Sequence, residues 1–198
     1  MFTGIIESVG IVTKIVQKGT NKTFWISSPV SKELKVDQSV SHNGVCLTVE
    51  EIDGNSHRVT AIQETLEKSN LNNWHADDKV NIERCLQFNG RLDGHMVQGH
   101  VDTTGLCTDV EEQIGSWIYQ FQFPEKFASL VVEKGSVSLN GISLTVFNVG
   151  NTTFNVAIIP YTYEHTNMHE LRKGSKANIE FDIIGKYILR NKQLEVLT

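Results

Sequence analysis

Short runs rich in Val, Ile and Thr recur along the chain and are typical of β-strands. Several runs alternate apolar and polar residues at period two, the pattern of a half-buried strand. Turn residues separate them at intervals of about 8–12 residues, and about six strands in fewer than 100 residues favour a small closed barrel without exposed edges. The runs are GIVTKIV, FWISSPV, VCLTVEEI, RVTAIQE, KVNIERC, WIYQFQF and FNVAIIP. The chain is therefore predicted to be all-β.

The sequence repeats itself once. SVSHNGVCLTV at 39–49 returns as SVSLNGISLTV at 136–146, with eight of 11 positions identical. VNIE at 80–83 returns as ANIE at 177–180, also 97 residues later, and the opening segment aligns at a shift of 95. This period is too long for the units of a solenoid, which span roughly 20–50 residues. We therefore predict two copies of one barrel, at 1–93 and 94–182.

A segment after the second copy, residues 183–198, breaks the strand pattern. Its apolar positions recur at helical spacing, and the segment has no counterpart after the first copy. The predicted helix packs either on its own domain or on another chain in an oligomer. Its apolar positions are Ile184, Tyr187, Ile188 and Leu189, followed by Leu194 and Val196.

Composition and charge narrow the class of protein. Apolar residues make up 39% and charged residues 21%, which is enough apolar material for a packed core. The net charge of −5 argues against nucleic acid or an anionic membrane as the main partner. No apolar run approaches the roughly 20 residues of a membrane-spanning helix, and the first residues do not resemble a signal peptide.

Cysteine and histidine spacing gives no sign of a metal centre. Cys46, Cys85 and Cys107 are odd in number and form no CxxC pair, so a reducing cytoplasm is the expected compartment. His95 and His100 lie five residues apart, a spacing that suits neither a helix face nor a strand face. The chain contains no GxGxxG or Walker sequence. We therefore expect neither a metal nor a nucleotide cofactor.

Residues shared by the two copies describe a binding scaffold. Asn43–Gly44 and Asn140–Gly141 are predicted to be tight turns, because Asn and Gly tolerate positive φ. Thr48 and Thr145 follow at equivalent strand positions, so their hydroxyls should point the same way in both barrels. Glycines at positions 4 and 99 would allow the backbone to approach a flat ligand closely.

Differences between the copies are where chemistry is expected. A thiol in one copy is a potential nucleophile, and an imidazole in the other can exchange protons near neutral pH. Alternatively, Cys46 is a small buried hydrophobic residue and His100 a surface histidine. We expect Cys85 and Cys107 to be structural and His57, His75 and His169 to be solvated. The differing pairs are Cys46 and Ser143, His42 and Leu139, His100 and Ile5, and Cys85 and Asp182.

Four segments together resemble the alpha-type riboflavin synthase family: MFTGIIESVG, SVSHNGVCLTV, GHMVQGHVDTTG and VSLNGISLTV. The resemblance covers nearly the whole chain. It implies a homotrimer of chains with tandem six-stranded Greek-key barrels and a C-terminal trimerisation helix. It also implies transfer of a four-carbon unit between two molecules of 6,7-dimethyl-8-ribityllumazine, giving riboflavin and 5-amino-6-ribitylaminouracil without a cofactor. Association with lumazine synthase is a further expectation.

The resemblance also implies two substrate pockets. The first is expected to be closed by the opening strand of the second copy from a neighbouring subunit. The second is expected to be closed by the opening strand of the first copy, with Lys134 nearby. First-pocket residues are Ser39, Cys46, Leu47, Thr48, Thr60, Ala61, Ile62, Gln63, Glu64 and Thr65, closed by Gly99, His100 and Val101. Second-pocket residues are Ser143, Leu144, Thr145, Ile159, Pro160, Tyr161, Thr162, Tyr163 and Glu164, closed by Gly4, Ile5 and Ile6.

Catalytic roles follow as hypotheses. His100 is expected to remove or shuttle the proton of the acidic C7 methyl group, and Cys46 to add, or assist addition, at a ring carbon of the partner molecule. Ser143 and Asp182 are secondary candidates. Two other classes share barrels of this kind: fluorescent antenna proteins that only bind lumazine or flavin, and flavin reductases. The retained Cys46 and GHMVQGH favour the enzyme over the first, and 198 residues leave no room for the nucleotide-binding domain of the second.

Overall fold

The computed structural model describes residues 1–195 and places them in two closed barrels followed by a helix. The strands of the first barrel are β1 (Ser8–Lys18), β2 (Asn21–Ser27), β3 (Ser39–His42), β4 (Val45–Asp53), β5 (Ser56–Ala61) and β6 (Lys79–Arg84). They run in the order β1-β2-β5-β4-β3-β6, and β6 pairs back with β1. Every pairing is antiparallel, so closure satisfies both edges of each strand.

The second barrel repeats this arrangement. Its strands are β7 (Thr103–Gln113), β8 (Ser116–Gln122), β9 (Ser136–Leu139), β10 (Ile142–Phe147), β11 (Thr153–Ile158) and β12 (Lys176–Phe181). Their order around the barrel, β10-β11-β8-β7-β12-β9, is that of the first barrel with each strand replaced by its copy. One irregularity is also repeated, because β1 and β7 each carry a bulge at equivalent positions. The predicted duplication and the all-β barrel fold are confirmed.

Two short helices stand where the sequence predicts strand. The runs RVTAIQE and FNVAIIP leave the sheets at Ala61 and Ile158 and turn into α1 (Gln63–Lys68) and α2 (Pro160–His165). In α1 the exposed side chains form i,i+4 pairs, among them Lys68 with Glu64 at 2.8 Å. In α2, proline occupies the first turn, where a missing N–H costs no hydrogen bond. One-turn 3₁₀ helices follow both, at 70–73 and 167–170.

Each barrel has its own apolar core, built from the inward positions of the alternating strands. Phe24 and Ile26 in the first core correspond to Tyr119 and Phe121 in the second, and all four are buried. The Tyr119 hydroxyl donates to the carbonyl of Met168 at 3.0 Å, so its one polar atom is satisfied inside the core. Two separate cores explain why each copy of the repeat can close a barrel of its own.

An asparagine network joins the barrels. The predicted tight turns are confirmed: Asn43 and Asn140 have φ of 48° and 45°, and their glycines follow at positive φ. The turns meet face to face, since a Cβ on Gly44 would lie 2.7 Å from the backbone nitrogen of Gly141. The glycines therefore serve the contact between barrels as well as the turns. The network also includes the buried side chains of Asn70, Asn81, Asn167 and Asn178.

The C-terminal helix α3 (Ile183–Glu195) confirms the predicted helical segment, whose residues 196–198, including Val196, lie outside the described part. Lys186 ties α3 to the second barrel through an ion pair with Asp102 at 2.6 Å. Ile184, Tyr187 and Ile188 are each more than half exposed. Within residues 1–195, the helices are too short or too polar to span a bilayer.

Candidate active site

Two short segments cross between the barrels, each lying just before the first strand of its own barrel. We call residues 2–6 the first arm and residues 97–101 the second arm. Ile6 of the first arm packs against the second core, and Val101 of the second arm packs against the first core. Each barrel therefore contributes its arm to the surface of the other.

Backbone hydrogen bonds fix where each arm lands. The amide of Cys46 donates to the carbonyl of Gly99 at 2.8 Å, and the amide of Ser143 donates to the carbonyl of Gly4 at 2.8 Å. These contacts lie within one chain. The second arm of the same chain thus occupies the edge of β4 and supplies Gly99 to the first pocket, where the resemblance implied a neighbouring subunit.

Buried carboxylates hold the arms in their crossed positions. Glu83 accepts from the backbone amides of Thr3 and Gly4, at 2.7 and 3.0 Å. Burial raises the pKa of both Glu83 and Glu180, while the backbone donors favour the ionised forms and lower it. The sequence reasoning missed these glutamates, although both end the repeated blocks VNIE and ANIE. The three amides that donate to Glu180 belong to Gln98, Gly99 and His100, at 2.6–2.8 Å.

The two arm glycines are required by geometry. Gly4 and Gly99 have φ of 79° and 83°, where L side chains are strained. A Cβ on Gly99 would lie 2.5 Å from the Cβ of Cys46, and one on Gly4 would lie 2.6 Å from the Cβ of Ser143. The close approach that these glycines allow is made to a strand of the opposite barrel. It places the second arm beside Cys46 and the first arm beside Ser143.

A cavity of about 220 Å³ opens beside Cys46 between β4, α1 and the second arm. Its rim carries an ion pair between Glu64 and Lys68. The exposed imidazole of His100 and the half-buried thiol of Cys46 line the same cavity, so one chain brings both predicted reactive groups together. The lining residues are Val45, Cys46, Glu64, Thr65, Lys68, Ser69, Gly99, His100 and Val101.

Other residues predicted for the first pocket are spread around this cavity. Leu47 and Ala61 have buried side chains in the first core, so only their backbone can face a ligand. Thr60 bonds to Thr23 across β2 and β5 at 3.0 Å. Thr48, Ile62 and Gln63 are exposed, and Ser39 is half-buried.

The environment of Cys46 keeps its thiol protonated. Burial raises the pKa of this thiol, and the nearby Cys85 and Glu180 raise it further. A hydrogen bond with Ser39 and the amino terminus act in the opposite direction. Cys46 therefore meets a ligand as a neutral thiol, and any addition to a ring carbon needs a base for its proton.

The second site is built on Ser143. His95, which the sequence analysis gave no role, places its Nδ1 atom 2.7 Å from the Ser143 Oγ atom. Burial lowers the pKa of His95, and the charge of Asp182 opposes this decrease. The Oδ1 atom of Asp182 also accepts a hydrogen bond from the amide of Ile184 at the start of α3. A hydroxyl and an imidazole are therefore hydrogen-bonded beside the first arm, and the Asp182 carboxylate acts on the imidazole through its charge.

Some second-pocket predictions fall on packing residues. Tyr163 stacks on Trp117 with ring centroids 3.7 Å apart, while Tyr161 stacks on His165 and remains exposed. The Lys134 ammonium lies 5.4 Å above the ring of Phe147. The remaining members vary in exposure: Leu144, Thr162 and Ile6 are half-buried, and Ile5, Thr145, Ile159, Pro160 and Glu164 are exposed.

The histidines outside the sites differ from expectation in part. His75 is exposed, as predicted, and His169 is only half-buried. The prediction that His57 is solvated is wrong: it is 1% exposed, and its Nε2 atom lies 2.8 Å from the Nε2 atom of His42. Its place on β5 explains this, since the period-two alternation points it inward with Val59.

The predicted structural cysteines lie in different surroundings. Cys107 is fully buried in the second core, whereas Cys85 is half-buried and its Sγ atom donates to the carbonyl of Ser39 at 3.3 Å. Across residues 1–195, no three His, Cys, Asp or Glu side chains gather in a group that could hold a metal ion.

Comparison with known proteins agrees with the two-barrel division. The family described as "Lumazine binding domain" matches residues 3–85 and 98–182. A riboflavin synthase of Actinobacillus pleuropneumoniae is 38% identical over 189 residues, covering 95% of this chain and 88% of that protein. That of Bacillus subtilis (strain 168) is 37% identical over 96% of this chain and 89% of its own length. That of Mycobacterium tuberculosis (strain ATCC 25618 / H37Rv) is 38% identical over 96% of this chain and 97% of its own.

Solved structures share the fold at lower identity. LumP complexed with riboflavin matches with a TM-score of 0.86 at 21% identity, over 91% of this chain and 99% of that one. LumP complexed with 6,7-dimethyl-8-(1'-D-ribityl) lumazine matches with a TM-score of 0.84 at 20% identity, over the same shares of the two chains. At such identities the likeness concerns the fold alone.

Proposed function

The chain belongs to the riboflavin synthase family, and on that premise we propose how its two sites divide the reaction. In that reaction, two molecules of 6,7-dimethyl-8-ribityllumazine exchange a four-carbon unit and yield riboflavin and 5-amino-6-ribitylaminouracil. Two identical substrates need two similar binding surfaces, whereas donor and acceptor need different reactive groups. The duplicated barrels, at 1–93 and 94–182 in this proposal, meet both needs.

One observation carries the proposal: Cys46 and Ser143 occupy equivalent positions, and each is bonded through its amide to a glycine of a crossed arm at 2.8 Å. The arms thereby build two sites with the same backbone arrangement and different chemistry. One lumazine binds beside Cys46 and His100, and the other beside Ser143 and Asp182. Thr48 and Thr145, exposed at matching strand positions, supply hydroxyl donors to the pyrimidine edge of each ligand.

His100 is the proton carrier in this scheme. It takes a proton from the acidic C7 methyl group, leaving a carbanion whose electrons delocalise into the pteridine ring. Cys46 assists addition at a ring carbon of the partner molecule. Because the thiol is protonated, its hydrogen passes to the adjacent ring nitrogen as the sulfur–carbon bond forms, and both return to a free thiol when the bond breaks again. Holding the two rings in a reactive stack contributes about 7–11 kcal/mol to lowering the barrier in well-oriented cases. The scheme uses no metal and no organic cofactor.

Assembly completes the proposal. We place the first site of one chain opposite the second site of a neighbour in a homotrimer, so that two bound lumazines can meet. The exposed apolar residues Ile184, Tyr187 and Ile188 on α3 support an interchain contact there. The three free cysteines suit a reducing cytoplasm. Association with lumazine synthase, which would supply the substrate, belongs to the same proposal and is tested by co-sedimentation of the two proteins.

Incubating the purified protein with the ribityllumazine alone tests the function. Riboflavin fluorescence should rise without added cofactor, after dialysis against a chelator, with one riboflavin formed per two lumazines consumed. C46S and H100Q should slow turnover while lumazine binding is retained, and H75N, which changes an exposed histidine, serves as the control. Binding without product would assign the chain to the lumazine-binding proteins that do not catalyse, and wild-type turnover in both variants would remove the roles given to Cys46 and His100.

A further inference from the structure

His95 is a buried histidine bonded to a residue of the second site. Its side chain is 8% exposed, and its Nδ1 atom lies 2.7 Å from the Ser143 Oγ atom. The first arm fixes its backbone, because the amide of His95 donates to the carbonyl of Thr3 at 3.1 Å. The preceding Gly94 packs so closely that a Cβ there would lie 2.8 Å from the Cβ of Ser143. Arm, imidazole and hydroxyl are therefore held together as one unit.

The second ring nitrogen of His95 indicates where the imidazole hydrogen lies. Within residues 1–195, the buried Nε2 atom has no hydrogen-bond partner. A hydrogen on Nε2 would leave a buried N–H donor unpaired, and such donors are rarer in native proteins than unpaired acceptors. Burial also lowers the pKa of His95, so the ring is neutral at neutral pH and carries one hydrogen. The favoured tautomer has that hydrogen on Nδ1, facing Ser143.

We propose that His95 is a positioning residue of the second site, which donates from Nδ1 to the Ser143 Oγ atom and so leaves the serine hydrogen free to point at the bound lumazine. Ser143 then acts as a donor toward a ring nitrogen or carbonyl oxygen on which negative charge accumulates during transfer. The inference rests on the proposed function, which places a lumazine beside Ser143. The first site is built differently, since its equivalent residue, Cys46, carries a half-buried thiol in place of the hydroxyl.

Two substitutions of His95 distinguish this role from a merely structural one. The amide nitrogen of Asn can occupy the place of Nδ1, whereas that of Gln reaches the place of Nε2. We expect H95Q to lower kcat about tenfold with little change in KM, which corresponds to the loss of one hydrogen bond. H95N should restore most of that loss, and H75N should match the wild type. In an S143A background, H95Q should cause no further decrease, because the two side chains act through a single hydrogen bond.

Nitrogen NMR of the wild-type protein with ¹⁵N-labelled histidine tests the tautomer without any variant. We expect His95 to show a protonated Nδ1 and an unprotonated Nε2 at neutral pH, and the opposite tautomer would overturn the proposed role. Equal losses in H95N and H95Q would overturn it as well. If S143A keeps wild-type turnover and binding stoichiometry, the assignment of the second site fails. If S143A is impaired and H95Q is not, only the role of His95 fails.

Discussion

The buried histidine pair of the first barrel should make this protein lose stability in mild acid. The Nε2 atoms of His42 and His57 lie 2.8 Å apart, and the remaining ring nitrogens bond to the Val40 carbonyl at 3.0 Å and the Ser31 hydroxyl at 2.8 Å. Two ring nitrogens this close can share one hydrogen. A proton on both would place two N–H groups against each other inside the core.

The sign and size of the effect follow from the pKa values. Burial lowers the pKa of His57 from 6.5 to about 4, and burial together with the charge of His57 lowers the pKa of His42 well below 6.5. Below pH 6.5 the two histidines bind protons in the unfolded chain but stay neutral in the folded barrel, so the free energy of unfolding falls as the pH falls. At about 1.4 kcal/mol per pH unit, His57 alone accounts for about 3 kcal/mol between its two pKa values, and about 2 kcal/mol by pH 5.

The second barrel provides the matched replacement. Leu139 and Phe154 are buried where the first barrel has His42 and His57, and Ala128 stands in the position of Ser31. The triple variant S31A/H42L/H57F therefore installs a natural apolar combination. The buried Ser28 hydroxyl loses its contact with Ser31, a cost that does not depend on pH and so leaves the pH slope unchanged.

Urea unfolding between about pH 7.5 and pH 5, with hydrogen exchange of peptides from β3 to β5, measures the first barrel separately. The wild type should lose about 2 kcal/mol or more of unfolding free energy over this range, and the triple variant markedly less. Glu83, Glu180 and His95 are present in both proteins, so their contributions cancel in the difference. A wild-type value that stays level down to pH 5 would refute the reasoning, as would equal slopes in the two proteins.

Three further predictions concern the arms and α3. G99A should reduce lumazine binding at the first site at least tenfold, because its Cβ collides with Cys46. The control G54A, at a glycine with positive φ and open space around it, should cost only about 1 kcal/mol of stability and leave binding intact. E180Q should lower the free energy of unfolding, measured in urea, by about 2–3 kcal/mol, because the NH₂ group of glutamine cannot accept hydrogen bonds from the amides of the second arm. An unchanged free energy would show that the Glu180 carboxylate does not hold the second arm. Y187E/I188E should yield a smaller species in sedimentation velocity with both barrels folded, and an unchanged mass would exclude α3 from the interchain contact.

Much of the candidate site was visible in the repeat. Comparison of the copies singled out the difference between Cys46 and Ser143. It also singled out Gly99, His100 and Val101, which the structure places beside Cys46. His57 was misjudged because its polar neighbours in GNSHRV were given more weight than the alternation that points it inward. His95 lacked any such signal, since its partner Ser143 is 48 residues away and no spacing links them.

The sequence by itself determined the two barrels, their tight turns and the pairs of residues in which the copies differ. The strands and turns depend on the alternation of apolar and polar residues and on the turn preferences of Asn and Gly, which act over a few residues. The duplication and the differing pairs follow from aligning one half of the sequence with the other. Only the tertiary structure decided that the arms cross within one chain, that Glu83 and Glu180 hold them, and that His42 pairs with His57. These contacts join residues that are distant in sequence, and their energy comes from desolvation and hydrogen-bond geometry that exist only once the barrels have closed and docked.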